Sequence, residues 1–189
     1  MSVPRVVMVI DMQNGVFATP RFDREGRVAR INQLMAGAEQ VIIIQHTEPG
    51  GLEENSPGFA FLPELNVPQN ALRVTKTACD AFYRTPLEAL LREHHIDAFV
   101  VCGCASDYCV DTTLKQAASR GFQVTVAGDA HTTAARPRGL RPGAYRALQR
   151  CLGYPGGARQ PAARAEYGRY PARLAGELND AGFVSTRRG

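Results

Sequence analysis

Apolar residues follow two rhythms along this chain. Short unbroken apolar runs alternate with stretches in which apolar positions recur every three or four residues. Arg5–Ile10 is a Val-rich run ending at Asp11, which predicts a strand buried on both faces. From Arg24 to Gly37, Val28, Ile31, Leu34 and Met35 fall on one helical face, with charge opposite and Gly37 near the end. Val41–Gln45 predicts a second buried strand, and Ala71–Thr75 a short third one ending at Lys76. Pro86 to His94 predicts a helix, with Thr85 as N-cap and Pro86 at its first position. Ala98–Cys102 predicts a fourth strand, Asp107 to Arg120 a helix stopped by Gly121, and Gln123–Ala127 a fifth strand. Between the second and third strands, Thr47 to Pro68 carries Pro49-Gly50-Gly51 and Pro57-Gly58, a long excursion of the kind that is functional or mobile. This order predicts the α/β class: an open, mostly parallel, doubly wound, Rossmann-like sheet with helices on both faces.

Composition narrows the class of protein. A length of 189 residues suits one domain at roughly 100–200 residues each. No apolar run approaches the roughly 18 residues of a membrane-spanning helix, so no membrane partner is expected. The N-terminal apolar stretch lacks a basic leader and ends in an acid, which reads as the first core strand rather than a signal peptide. Five Cys is an odd number, and Cys102, Cys104 and Cys109 crowd into one segment. Reduced thiols and a cytoplasmic location follow as expectations.

The net charge of +4 averages two unlike parts. Residues 136–189 hold 11 Arg against 3 acids, and Arg, Ala, Gly and Pro make up 34 of those 54 positions. A basic arm invites a nucleic-acid reading, but no aromatic stacking pattern or binding motif accompanies it, so no nucleic-acid partner is expected.

Three candidate chemical residues sit where strands end. Asp11 follows the first strand, Lys76 the third, and Cys109 lies just past the fourth, at the opening of a helix. Taken singly, each has a bland reading: a turn residue, a solvated amine, a small buried hydrophobe. Their joint placement matters, because open α/β sheets bind ligands beyond the carboxyl ends of their strands. A Cys in the first turn of a helix has its thiolate stabilised by the dipole, and a nearby ammonium adds to this. A carboxylate can take the thiol proton and return it to a leaving group.

The segments VVMVIDMQNGVF, VTKTACDAF and VVCGCASDYCVDTTLKQAASRGF resemble the isochorismatase-like cysteine hydrolases, which include nicotinamidases. The resemblance runs from about Pro4 to Arg136. It implies a catalytic triad of Asp11, Lys76 and Cys109. It also implies a cis peptide at Cys104–Ala105, with the N–H groups of Ala105 and Cys109 forming an oxyanion hole. Nicotinamidases of this family carry an Asp-x-His metal motif after the second strand. Here the segment reads Gln45-His46-Thr47-Glu48-Pro49, so no metal and no cofactor are expected, and His46 reads as a pocket or structural residue. Phe17, His46, Phe59, Phe82 and Tyr108 are the candidate substrate contacts, with core packing as the alternative for Phe61 and Phe82. Asp80 and Asp107 read as supporting or helix-capping acids, and His131 as structural.

The family continues past DAHTTA with a helix and a sixth strand, but residues 139–189 show no clear apolar periodicity. A hydrolase core over 1–138 is therefore expected, followed by an anomalous tail over 139–189. The tail reads either as the product of a reading-frame change or as a genuine Arg-rich extension. In both cases the sixth strand is expected to be missing and the far tail poorly ordered.

The function expected is cleavage of a C–N bond in a small amide through a thioester intermediate, because isochorismatases proper act on a vinyl ether without a Cys at position 109. The alternatives are a catalytically weak member acting in binding or assembly, and a vinyl-ether hydrolase. The partner expected is a small-molecule substrate, and the resemblance implies a homo-oligomer, a dimer.

Overall fold

The computed structural model describes residues 5–134. The expectations about the tail, the boundary at 138 and the sixth strand lie outside the described residues.

Val6–Ile10 (β1), Gln40–His46 (β2), Leu72–Lys76 (β3), Ala98–Cys104 (β4) and Gln123–Thr132 (β5) form one sheet in the order β3-β2-β1-β4-β5. Every neighbouring pair is parallel. Helices Arg24–Ala36 (α1), Leu87–Glu93 (α2) and Asp111–Ser119 (α3), with a π-helical turn at Ser106–Val110, complete the described elements. The chain works outward from β1 in one direction to β3, then returns to the other side of β1 for β4 and β5. The order therefore reverses between β1 and β4, which opens a crevice at their carboxyl ends.

Each face of the sheet carries its own core. Met8, Ile10, Ile44 and Val74 pack on one face with Leu87 and Leu91 of α2 and Ala117 of α3. Val7, Val9 and Ile43 pack on the other with Val28, Ile31 and Met35 of α1. Strands apolar on both faces are what such a double layer requires, and each fully buried Val, Ile or Leu contributes about 1.5–3 kcal/mol.

Several boundaries differ from the sequence expectation. Helix α2 begins at Leu87 with Pro86 as its cap; Thr85 sits one residue earlier and its Oγ1 accepts the Leu87 N–H at 3.3 Å. The helix expected from Asp107 begins at Asp111, because residues Ser106–Val110 form a wider π-helical turn first. Strand β5 runs on to Thr132, past Ala127, but its register against β4 jumps from Val101↔Val126 to Gly103↔His131. At that irregularity Gly103 has φ 115°, and a Cβ there would stand 2.1 Å from the Ile10 carbonyl oxygen. Only glycine lets β1 and β4 approach so closely.

The excursion between β2 and β3 is tied down along the exit of β1. The Asn14 and Gly15 N–H groups donate to the carbonyls of Ala60 and Gly58 at 2.9 and 2.8 Å, and the Leu62 N–H donates to Met12 at 3.1 Å. Leu62 and Leu65 are buried beneath it. A loop that supplies partners for its own backbone and an apolar anchor is an ordered wall.

Candidate active site

Parallel pairing puts His46 and Lys76 in register at the ends of β2 and β3. Both continue the row that begins with Ile44 and Val74, so both point to the face covered by α2 and α3. Asp11 is out of phase with that row: by strand alternation it belongs with Val7 and Val9 on the opposite face. Its left-handed backbone, φ 51°, breaks the alternation just past β1, and Asp is one of the few residues that enters this region readily. Its carboxylate thereby meets Lys76. The Asp11 N–H is held by the Ile44 carbonyl at 2.9 Å.

Lys76 is the centre of the cluster. Its ammonium donates to Asp11 Oδ2 at 2.7 Å and to Cys109 Sγ at 3.3 Å, and it lies 3.2 Å from His46 Nδ1. The side chains of Lys76 and Asp11 are 0% and 3% exposed, so this is a buried ion pair. Asp11 Oδ1 is buried and, among the described residues, has no hydrogen-bond partner. A carboxylate oxygen left in that state is costly for stability and is a feature found at reactive sites.

Cys109 sits in the π-helical turn after β4. The Ala105 carbonyl closes this turn by accepting the N–H groups of Tyr108 at 3.0 Å and Val110 at 3.1 Å. The Cys104–Ala105 peptide bond is cis. The sequence expectation put Cys109 in the first turn of an α-helix; the structure puts it in the wider turn ahead of α3. π-turns of this kind recur at functional sites because they re-aim a side chain.

The electrostatics of the cluster are set by burial and by the mutual influence of its members. Burial pulls the Lys76 pKa down, but the Asp11 carboxylate and then the Cys109 sulfur outweigh it and leave the ammonium above its ordinary 10.5. Burial, followed by the Asp11 carboxylate, pushes the Cys109 thiol well up, against the opposing pull of Lys76. Burial and the neighbouring carboxylate thus oppose ionisation of the Cys109 thiol while Lys76 favours it, and Asp11 and Lys76 form the ion pair.

The remaining candidates are dispersed. Phe17 is 7% exposed in the core under α1, with Arg21 and Arg24 over its ring. Phe82 is equally buried on the other face, stacked on Phe122 at 5.8 Å. Phe59 is half-buried, and its carbonyl accepts from Gln13 and Gln45. Tyr108, next to Cys109, is 51% exposed. Asp80 closes its own turn by accepting the Phe82 N–H at 2.8 Å, and Asp107 accepts the Thr133 hydroxyl. His131 is fully buried against Ser106 Oγ at 2.7 Å; burial, aided by the Arg27 charge, lowers its pKa to about 4. Gln13 was not singled out from the sequence. It is fully buried and grips the His46 main chain from both sides, accepting its N–H at 2.7 Å and donating to its carbonyl at 2.9 Å. Its place two residues after Asp11 was the available signal. Among the described residues, no group of three or more His, Cys, Asp or Glu side chains is arranged to hold a metal ion. Among them, too, no helix is long and apolar enough to cross a membrane.

Comparison with known proteins agrees with this fold. The isochorismatase domain model matches residues 5–160. Streptothricin hydrolase of Streptomyces noursei is 33% identical over 138 residues, covering 68% of this chain and 54% of the relative. The nicotinamidase of Escherichia coli is 27% identical over 174 residues, covering 67% of this chain and 82% of the relative. The chain thus spans only about half the length of some curated relatives that it matches. A putative hydrolase of the isochorismatase family from Chromobacterium violaceum superposes with a TM-score of 0.68 at 29% identity, covering 80% of this chain and 86% of that one. A doubly wound parallel sheet with this strand order, together with a domain match over most of its length, places the chain in the isochorismatase-like hydrolase family.

Proposed function

We propose that this protein is a cysteine amidohydrolase acting on a small-molecule amide, with Cys109 as nucleophile, Asp11 as general base and acid, and Lys76 as the cation that holds them together. The observation that carries this reading is the single ammonium bridging a buried carboxylate at 2.7 Å and a thiol sulfur at 3.3 Å. The names of its relatives, a streptothricin hydrolase and a nicotinamidase, support an amide or related substrate.

The chemistry starts with Cys109 as a thiol. Substrate entering the crevice displaces water, and the Cys109 proton passes to Asp11, whose Oδ1 has no competing donor among the described residues. The thiolate attacks the carbonyl carbon, and the N–H groups of Ala105 and Cys109 receive the oxyanion. Collapse expels the amine with the proton from Asp11 and leaves a thioester. Water then gives its proton to Asp11 and attacks the thioester, releasing the acid and restoring the thiol. Lys76 stays charged throughout and offsets whichever anion is present. Phe59 and Tyr108 flank the crevice as substrate walls. The protein works as a homo-oligomer, a dimer.

The test is ammonia release from a panel of primary amides, with Cys109→Ala as control. Turnover by the wild type, its loss in Cys109→Ala with an unchanged melting temperature, and an acyl adduct on Cys109 after rapid quenching are the expected results. Wild-type turnover by Cys109→Ala would sink the covalent mechanism. Pyruvate release from a vinyl-ether substrate, with no amide turned over, would replace the reaction class.

A further inference from the structure

We infer that His46 is a positioning residue for Lys76: as the neutral Nε2–H tautomer it accepts one ammonium N–H on Nδ1, which leaves the other two directed at Asp11 and Cys109. This rests on the reading of Asp11, Lys76 and Cys109 as the catalytic set.

The argument is a count of donors. An ammonium carries three N–H bonds and can accept nothing. Lys76 has three neighbours for them: Asp11 Oδ2 at 2.7 Å, His46 Nδ1 at 3.2 Å and Cys109 Sγ at 3.3 Å. A proton on Nδ1 would set two donors against each other at 3.2 Å, so Nδ1 presents its lone pair and the ring proton lies on Nε2. Nε2 faces Glu48 Oε2 at 3.5 Å, an acceptor on the correct side. Glu48 is 59% exposed, so it biases the tautomer without dominating it.

The imidazole is placed by its main chain. Gln13 holds the His46 N–H at 2.7 Å and the carbonyl at 2.9 Å, and the same amide nitrogen reaches the Phe59 carbonyl at 3.2 Å. The exit of β1, the end of β2 and the wall of the excursion are thus joined at the residue whose ring meets the ammonium. The parallel register of His46 with Lys76 does the rest. A lysine stem is long and flexible, and a carboxylate alone fixes it along one line only. The acceptor on β2 supplies a second direction, and the sulfur lies along the third.

The experiment compares His46→Asn, which offers an oxygen near the place of Nδ1, with His46→Leu, which fills the space but accepts nothing. Three quantities are measured: the alkylation rate constant of Cys109 by iodoacetamide, mapped by peptide mass against the exposed Cys79; kcat and KM on the best amide; and the ring 15N spectrum of the wild type. His46→Leu is expected to lower alkylation and kcat by about 10- to 100-fold, the worth of a hydrogen bond to a charged group, with KM little changed. His46→Asn is expected to stay within about threefold of wild type. The spectrum is expected to put the ring proton on Nε2. A proton on Nδ1, wild-type alkylation in His46→Leu, or His46→Asn as slow as His46→Leu overturns the inference. The spectrum decides the tautomer even if His46→Leu fails to fold. Alkylation and spectrum need no substrate. If they behave as expected while the wild type hydrolyses no amide, the amidohydrolase reading fails and the role of His46 stands.

Discussion

The buried pair of Asp11 and Lys76 makes a prediction about folding that is independent of any substrate. In Lys76→Met the stem keeps its length and loses its charge. Asp11 Oδ2 then loses its 2.7 Å donor, while Oδ1 has no partner among the described residues to begin with, so both oxygens of a buried carboxylate are orphaned there. Removing one partner of a buried pair typically costs about 3–5 kcal/mol. Asp11→Asn is gentler: the amide oxygen still accepts from the ammonium, which keeps His46 and Cys109, and the loss is that of a charge-assisted bond, about 1.5–3 kcal/mol. In the double variant neither charge remains. A buried amide beside a thioether costs about 1–3 kcal/mol, less than the two single changes summed. The cycle should therefore show a coupling of about 4 kcal/mol. Urea denaturation at neutral pH, fitted with a common m-value, measures it. The sign of the pH dependence is also fixed. Because the folded Lys76 pKa lies above its ordinary 10.5, its share of stability is fully present below that pH and is lost only as pH rises through the raised value. The coupling should hence be flat across the neutral range. Strict additivity of the two single changes, or a coupling that decays between pH 6 and 9, would refute the reasoning.

Three further outcomes follow. The His131 pKa falls from 6.5 to about 4 in the fold, so its contribution is present above 6.5 and lost as pH drops through about 4; His131→Gln should remove roughly 3 kcal/mol of acid sensitivity in urea titrations across that window, and an unchanged slope would count against it. Gly103→Ala should destabilise the fold by about 3 kcal/mol or more, because a Cβ there meets the Ile10 carbonyl at 2.1 Å and φ is 115°; a melting temperature within a degree of wild type would show that β1 and β4 can separate freely. Amide hydrolysis should survive exhaustive chelation, since Gln45-His46-Thr47 lacks the acid of a metal motif; loss on chelation with recovery on adding a divalent ion would reverse this.

The elements legible in the sequence were those with a strong period. The Val- and Ile-rich runs of β1 and β2 and the stripe Val28, Ile31, Met35 of α1 lie within a residue or so of their expected limits, because burial on one or both faces leaves a pattern that local composition cannot hide. The three catalytic candidates were legible as strand-end residues, since topology alone brings such ends together. What was illegible depended on backbone departures. The π-turn around Cys109 has no compositional mark, so its residues read as the start of α3. The left-handed Asp11 was read as an ordinary strand terminus, although that conformation is what turns its carboxylate onto the other face. The meeting of His46 with Lys76 depends on the register between β2 and β3, which a long excursion leaves undetermined in the sequence. The excursion itself, read as functional or mobile, was matched by Pro and Gly content, not by the partners it finds along residues 12–15.

Among the described residues, the strand that carries Lys76 lies at one border of the sheet and is five residues long, joined to the rest through β2. Border strands open more readily than interior ones, by local fluctuations whose free energy is below that of global unfolding. A slip of one residue there would send Lys76 to the opposite face of the sheet and leave Asp11 and Cys109 without their shared cation. The proposed chemistry is thereby tied to a border strand of the described sheet rather than to its interior. Mild denaturant or warming should silence the enzyme while its circular dichroism is still native, so that inactivation reports the fraying of one border and not the collapse of the domain.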